Sequence, residues 1–285
     1  MNQAGTMELR NEIASDDRVV TFLNMSKQNL LRYAAKLLEP PYSVPIQTVD
    51  IKFRKIYSSI IEAFDRKYRY SADLLETVED ECDESYDKVF SISRAVVLSD
   101  SYFFEDSILH DTVSFHTRGG KDAIVDFYNE GGTVVVFCEE GIYNIGSILS
   151  ESFECNWKHG GVTTETCVPT EVATTLLGSD IAKNIEVNEG HFMAVPDGEG
   201  LYGVEMLSFE KYVQARFSFN LDEDDGDDND PQDDQAAYKR YQQANASKHL
   251  VVLHRNPKGG RLIWLGDRKQ EDPKLRAILA KLCFG

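Results

Sequence analysis

Residues 121–153, KDAIVDFYNEGGTVVVFCEEGIYNIGSILSESF, decide how the chain is read. Ile124 and Phe127 share a helical face, and Gly131-Gly132 can take the positive φ that ends a helix. Thr133 to Phe137 is a short β-branched run without polar alternation, the pattern of a central parallel strand covered on both faces. A sharp loop and a second helix follow. Cys138 then falls at the carboxyl end of the strand, where open α/β sheets bind ligands.

Outward from this unit, residues 18–23 (RVVTFL), 44–49 and 94–99 (RAVVLS) read as further strands. Ser26 caps an expected helix with Leu30, Leu31, Ala34, Leu37 and Leu38 on one stripe, and Pro40-Pro41 stops it. The spacing of Phe53, Ile56, Ile60 and Phe64 predicts a helix over 52–64. Residues 101–120 read as a long irregular connection holding His110 and His116. Residues 155–172 and 185–195 read as short strands with polar loops, and 204–219 as strand-like alternation. Residues 236–246 read as a short polar helix. HLVVLH (249–254) and RLIWL (261–265) form a hairpin across Asn256-Pro257-Lys258-Gly259-Gly260, and a closing helix runs from about Pro273 to Cys283.

At 285 residues, with 42% hydrophobic content, the chain can bury a full core. We expect one domain over 18–285 after a disordered leader, 1–17, that lacks a basic n-region and an apolar h-region. No run is long and apolar enough to span a bilayer. The five cysteines are scattered without C-x-x-C spacing, the pattern of reduced thiols, which makes a cytoplasmic setting the expectation. Nine acids and no base fall within residues 222–234; removing them from the net charge of −18 leaves −9. Such a balance argues against nucleic acid or an anionic membrane as partner and points to a small molecule or a protein. The tract sets up an expected disordered acidic insertion over 221–236. With Gly226 at position six of an EF-hand, Leu221 and Gln232 fall at positions one and twelve, so the calcium-loop register fails.

The unit at 121–153 and the ending HRNPKGGRLIWLGD with KLRAILAKLC together resemble the class I glutamine amidotransferase-like superfamily, nearest in pattern to trehalose-utilisation-type members. The resemblance covers residues 94–153 and 249–283. It implies a three-layer flavodoxin-like α/β core with a mostly parallel sheet, a C-terminal β-hairpin and a helix. Active members carry a Cys on a G-x-C-x-G turn and a later His-x-Glu pair. Here Cys138 occupies the elbow, Val136 replaces the first Gly, Glu139-Glu140-Gly141 follow, and the late strand ends in Leu265-Gly266-Asp267. The catalytic motif is therefore incomplete. The leading expectation is a non-catalytic binding or interaction protein on that scaffold.

Two catalytic alternatives stand beside it. In the first, Cys138 is the nucleophile of a hydrolase or amidotransferase with a histidine such as His254 as base, while Glu139 and Glu140 oppose thiolate formation by like charge. In the second, the strand-end carboxylates Asp100, Glu139, Glu140 and Asp267 hold a divalent cation such as Mg²⁺ for metal-assisted hydrolysis. The competing role for these acids is helix capping. No P-loop or G-x-G-x-x-G follows the first strand, so no nucleotide cofactor is expected. Thr163, Thr164 and Thr166, with Thr174-Thr175, are β-prone and candidates to line a pocket.

Overall fold

A computed structural model describes residues 19–23, 46–50, 55–56, 90–98, 114–137, 145–219, 231–267 and 273–284, and every structural statement below concerns these. Ten strands join one sheet: β1 (Val19–Leu23), β2 (Ile46–Asp50), β3 (Lys55–Ile56), β4 (Ser93–Leu98), β5 (Thr133–Phe137), β6 (Lys158–Pro169), β7 (Ile185–Ala194), β8 (Gly200–Val204), β9 (Lys248–Arg255) and β10 (Arg261–Leu265). The helices are α1 (Ser114–Asn129), α2 (Ile145–Phe153), α3 (Glu171–Leu177), α4 (Phe209–Phe219), α5 (Pro231–Asn245) and α6 (Pro273–Phe284). No helix among the described residues is long and apolar enough to cross a membrane.

The strand order is β3-β2-β1-β4-β5-β10-β9-β7-β6-β8, and β8 also pairs with β9. That last pairing closes β9, β7, β6 and β8 into a four-stranded antiparallel barrel. Only the pairings β1–β2, β1–β4, β4–β5 and β5–β10 are parallel; the other six are antiparallel. The expected mostly parallel, three-layer flavodoxin-like α/β sheet is thus corrected to a mixed sheet that ends in a barrel. The reason lies in β6 and β7. At 12 and 10 residues they are long enough to pair with each other and curl, with register shifts at His159/Gly161 and Thr163/Glu165.

Within the parallel segment the helices cover both faces. Val135 and Phe137 of β5 pack with Ile263, Leu265 and the α6 residues Leu275, Ile278, Leu279 and Leu282. Val134 and Val136 pack on the opposite side with Ile124, Phe127, Leu149, Phe153, Trp157 and Trp264 from α1, α2 and the strands. Full burial on both sides is why β5 lacks polar alternation. α1 ends as its Gly-Gly pair predicts: Gly131, at φ 96°, donates to the Tyr128 carbonyl, and Gly132 donates to the Phe127 carbonyl.

Several local expectations are corrected. Lys55–Ile56 is a strand, not the interior of a helix, because it pairs antiparallel with β2. Residues 209–219 are helical rather than strand-like, with Phe209 and Tyr212 packing on Tyr238 of α5. Residues 155–172 and 185–195 are dominated by the long barrel strands rather than by short ones. Thr174 and Thr175 lie in α3, which Thr170 caps through its Oγ1 to the Ala173 N–H. Helix α1 begins at Ser114, inside the connection read as irregular. Helix α5 begins at Pro231, inside the acidic stretch 221–236; Pro fits a first turn because its missing N–H has no partner to lose there. Residues 221–230 lie outside the described residues, as do the leader, the Ser26–Leu38 helix, and residues 57–64 of the 52–64 helix.

The barrel carries a titration consequence. Burial pushes His159 and His249 below the ordinary histidine range; for His249 the Ser247 carbonyl and Asp197 pull the other way without prevailing. A histidine held neutral by the fold contributes stability that is complete above its unfolded value, about 6.5, and is lost as pH falls through the lowered folded value. The denaturation midpoint should therefore fall between pH 7.5 and 5.5, and fall less in His249→Gln. Parallel curves for the two proteins would remove His249 from this account.

Candidate functional site

Five segments meet where the parallel strands pass into the barrel. The end of α1 brings Tyr128, and the end of α2 brings Phe153 and Glu154. The start of β6 brings Trp157, the β7–β8 turn brings Glu199, and the end of β9 brings His254. Each is locked by local chemistry. Ser150 Oγ donates to the Trp157 carbonyl at 2.8 Å and accepts from the Trp157 N–H at 2.9 Å, which fixes the chain leaving α2. The Leu253 N–H donates to the Glu199 carbonyl at 2.9 Å, holding the turn against β9. Asn256 Oδ1 accepts from the N–H groups of Lys258 and Gly260, while its Nδ2 donates to the Tyr128 carbonyl at 2.9 Å. The hairpin is thereby stapled to α1.

At the centre, Glu199 takes two side-chain hydrogen bonds. Its Oε1 is 2.9 Å from His254 Nδ1, and its Oε2 accepts from Trp157 Nε1 at 2.5 Å. Burial pushes the Glu199 carboxyl up, but the hydrogen bonds from His254 and Trp157 and the histidine charge outweigh it, and the net direction is down. Glu199 therefore stays ionised and fixes the imidazole with its proton on Nδ1. Among the described residues His254 Nε2 has no hydrogen-bond partner. The ring lies edge-on to Trp157, with centroids 6.3 Å apart, and stacks on Tyr128 at 6.4 Å and 26°.

His254 and Tyr128 line a cavity of about 650 Å3 with Phe153, Glu154, Asn256 and Lys258. This volume suits a small molecule. Glu154 holds φ 54°, a left-handed conformation that non-glycine residues seldom take, just past the end of α2 on the cavity wall. Behind Glu199 a second groove of about 770 Å3 is lined by Val172, Thr175, Leu176 and Leu253, and Arg255 borders both spaces.

Of the residues singled out in the sequence, His254 is the one placed in this site. Cys138, Glu139, Glu140, Asp100 and His110 lie outside the described residues, and so does the side chain of His116. Asp267 is buried at 3% exposure and bridges to Gly190 across the sheet. Among the described residues no group of three or more His, Cys, Asp or Glu side chains is arranged to hold a metal ion. His159 and His191 stand 6.2 Å apart, centroid to centroid. Burial pushes the thiols of Cys155, Cys167 and Cys283 up to about 12, so none of these three is a thiolate near neutrality. Glu199, Trp157 and Tyr128 escaped the sequence reading. The one signal was Glu199 between two glycines in Asp197-Gly198-Glu199-Gly200, a turn sequence that exposes a polar side chain.

No protein-family model matches the chain, and a search of curated proteins finds no match either.

Proposed function

We propose that the protein binds a small polar molecule in the cavity between α1, α2 and the β9–β10 hairpin, with His254 exchanging a proton with it. The observation that supports this reading is the pair His254 Nδ1···Oε1 Glu199 at 2.9 Å, fixed by Trp157 and leaving Nε2 without a partner beside the cavity. A carboxylate-oriented imidazole is a common device for moving protons, since the carboxylate sets the tautomer and stabilises the imidazolium. The reading keeps the expectation of a small-molecule partner and adds a chemical role for one histidine. A cytoplasmic setting fits three buried free thiols.

The test is a fragment screen followed by backbone NMR. Hits should shift the amides of Asn129, Glu154 and Asn256 together, and His254→Gln should weaken them while leaving the spectrum of the fold intact. Hits that cluster elsewhere, or that bind His254→Gln as tightly as the parent, would overturn the proposal.

A further inference from the structure

The cavity beside His254 has walls of opposite charge. Helix α1 and the end of α2 bring Asp126, Glu130 and Glu154 to it, whereas the β9–β10 hairpin brings Arg255 and Lys258. Asp126, Glu154, Arg255 and Lys258 are exposed, so a ligand in the cavity can reach them. Among the described residues none of these four side chains has a hydrogen bond or an ion pair, and the two walls do not pair across the space. Arg255 also has a like charge beside it. It is the register partner of Arg261 across β9 and β10, and the two guanidinium groups repel. Arg261 turns to β5, where its Nε donates to Thr133 Oγ1 at 3.1 Å, and Arg255 is left without an anion.

We propose that the ligand of this cavity is a zwitterion, a small molecule with one ammonium group and one carboxylate, the class of the free amino acids. The inference rests on the proposed small-molecule site and names the chemistry of what it takes. The carboxylate lies against Arg255 and Lys258, where a guanidinium fork meets both of its oxygens. The ammonium group lies against Asp126 and Glu154. A ligand with one charge leaves one wall unmatched, and a dianion or a dication meets like charge on one side. Each exposed contact is weak alone, so selection depends on both charges arriving in one molecule. His254 lines the same cavity and supplies the proton-exchanging group to that ligand.

The experiment is an NMR titration of the full chain, near neutral pH, with three probes of one shape. Free phenylalanine carries both charges, 3-phenylpropanoate the carboxylate alone, and phenethylamine the ammonium group alone. Phenylalanine should shift the amides of Asn129, Glu154 and Asn256 with a Kd about fivefold below that of either other probe, the upper worth of one exposed ion pair. The double variant Asp126→Asn/Glu154→Gln should raise that Kd about fivefold and bind 3-phenylpropanoate no more weakly than the parent. Arg255→Gln/Lys258→Gln should weaken phenylalanine by the same factor and bind phenethylamine no more weakly. A one-charge probe that binds as tightly as phenylalanine, or a variant that weakens all three probes alike, would overturn the inference and leave the cavity as a site. So would three silent probes where hits of the fragment screen still move the same amides. If the fragment screen is silent there as well, the site fails and the inference with it.

Discussion

Trp264→Ala should cost about 3–5 kcal/mol of stability, the range for deleting a large buried aromatic side chain. Trp264 is fully buried in β10, between β5 and β9, and packs in the cluster that includes Val134, Val136 and Trp157. Its Nε1 donates to the His191 carbonyl of β7 at 3.0 Å, so one side chain ties the parallel segment to the barrel. Next to it, a Cβ built on Gly266 would fall 1.8 Å from that same carbonyl oxygen, which leaves no slack for the cavity to collapse into. Trp264→Phe separates the two contributions. It keeps most of the apolar volume and loses the N–H, and it should cost about 1–3 kcal/mol. Chemical denaturation with a constant m-value measures both. A loss under about 1 kcal/mol for Trp264→Ala would show that β7 and β10 are held by other contacts.

Glu199→Ala should cost about 2–4 kcal/mol and should also abolish ligand binding in the proposed site. The substitution removes the acceptor of two donors at once, Trp157 Nε1 and His254 Nδ1. Trp157 is 2% exposed, so water cannot easily replace the lost partner. Glu199→Gln should be milder in stability, because one amide oxygen still accepts, yet it presents an NH₂ toward the second donor and removes the charge that orients the imidazole. The pH dependence follows from the direction of the Glu199 shift. A carboxyl lowered by the fold contributes stability that is complete above its unfolded value and is lost as pH falls through the lower folded one. That contribution should be missing from the acid limb of Glu199→Gln. Equal stability of parent and Glu199→Ala would mean that the tryptophan and histidine find other acceptors.

Parts of this molecule can be read from one dimension and parts cannot, for a physical reason. The helix–Gly-Gly–strand unit at 121–137 is specified locally, by a cap that needs positive φ at Gly131 and a strand apolar on both sides. The β9–β10 hairpin is likewise local, since Asn256 closes its own turn through Lys258 and Gly260. The barrel is not local. Its closure depends on β8 meeting β9 across about fifty residues, and only weak alternation in β6 and β7 signals it. Helix α4 reads as a strand in the sequence because its aromatic residues suit both periods, and packing against α5 decides between them. The site shows the same division. His254 stands out as a histidine at a strand end, whereas the carboxylate that gives it a role is 55 residues earlier in a turn. Spacing along the chain carries no record of such a meeting.

Strand β9 uses both of its edges: β10 lies along one, while β7 and β8 take the other. Strands β9 and β10 follow the other described strands in chain order. Until both have been synthesised, a nascent chain carries an open barrel and a β5 without its β10 neighbour. The two halves acquire their native shape together, and the cell must keep that precursor from sticking to its neighbours until then.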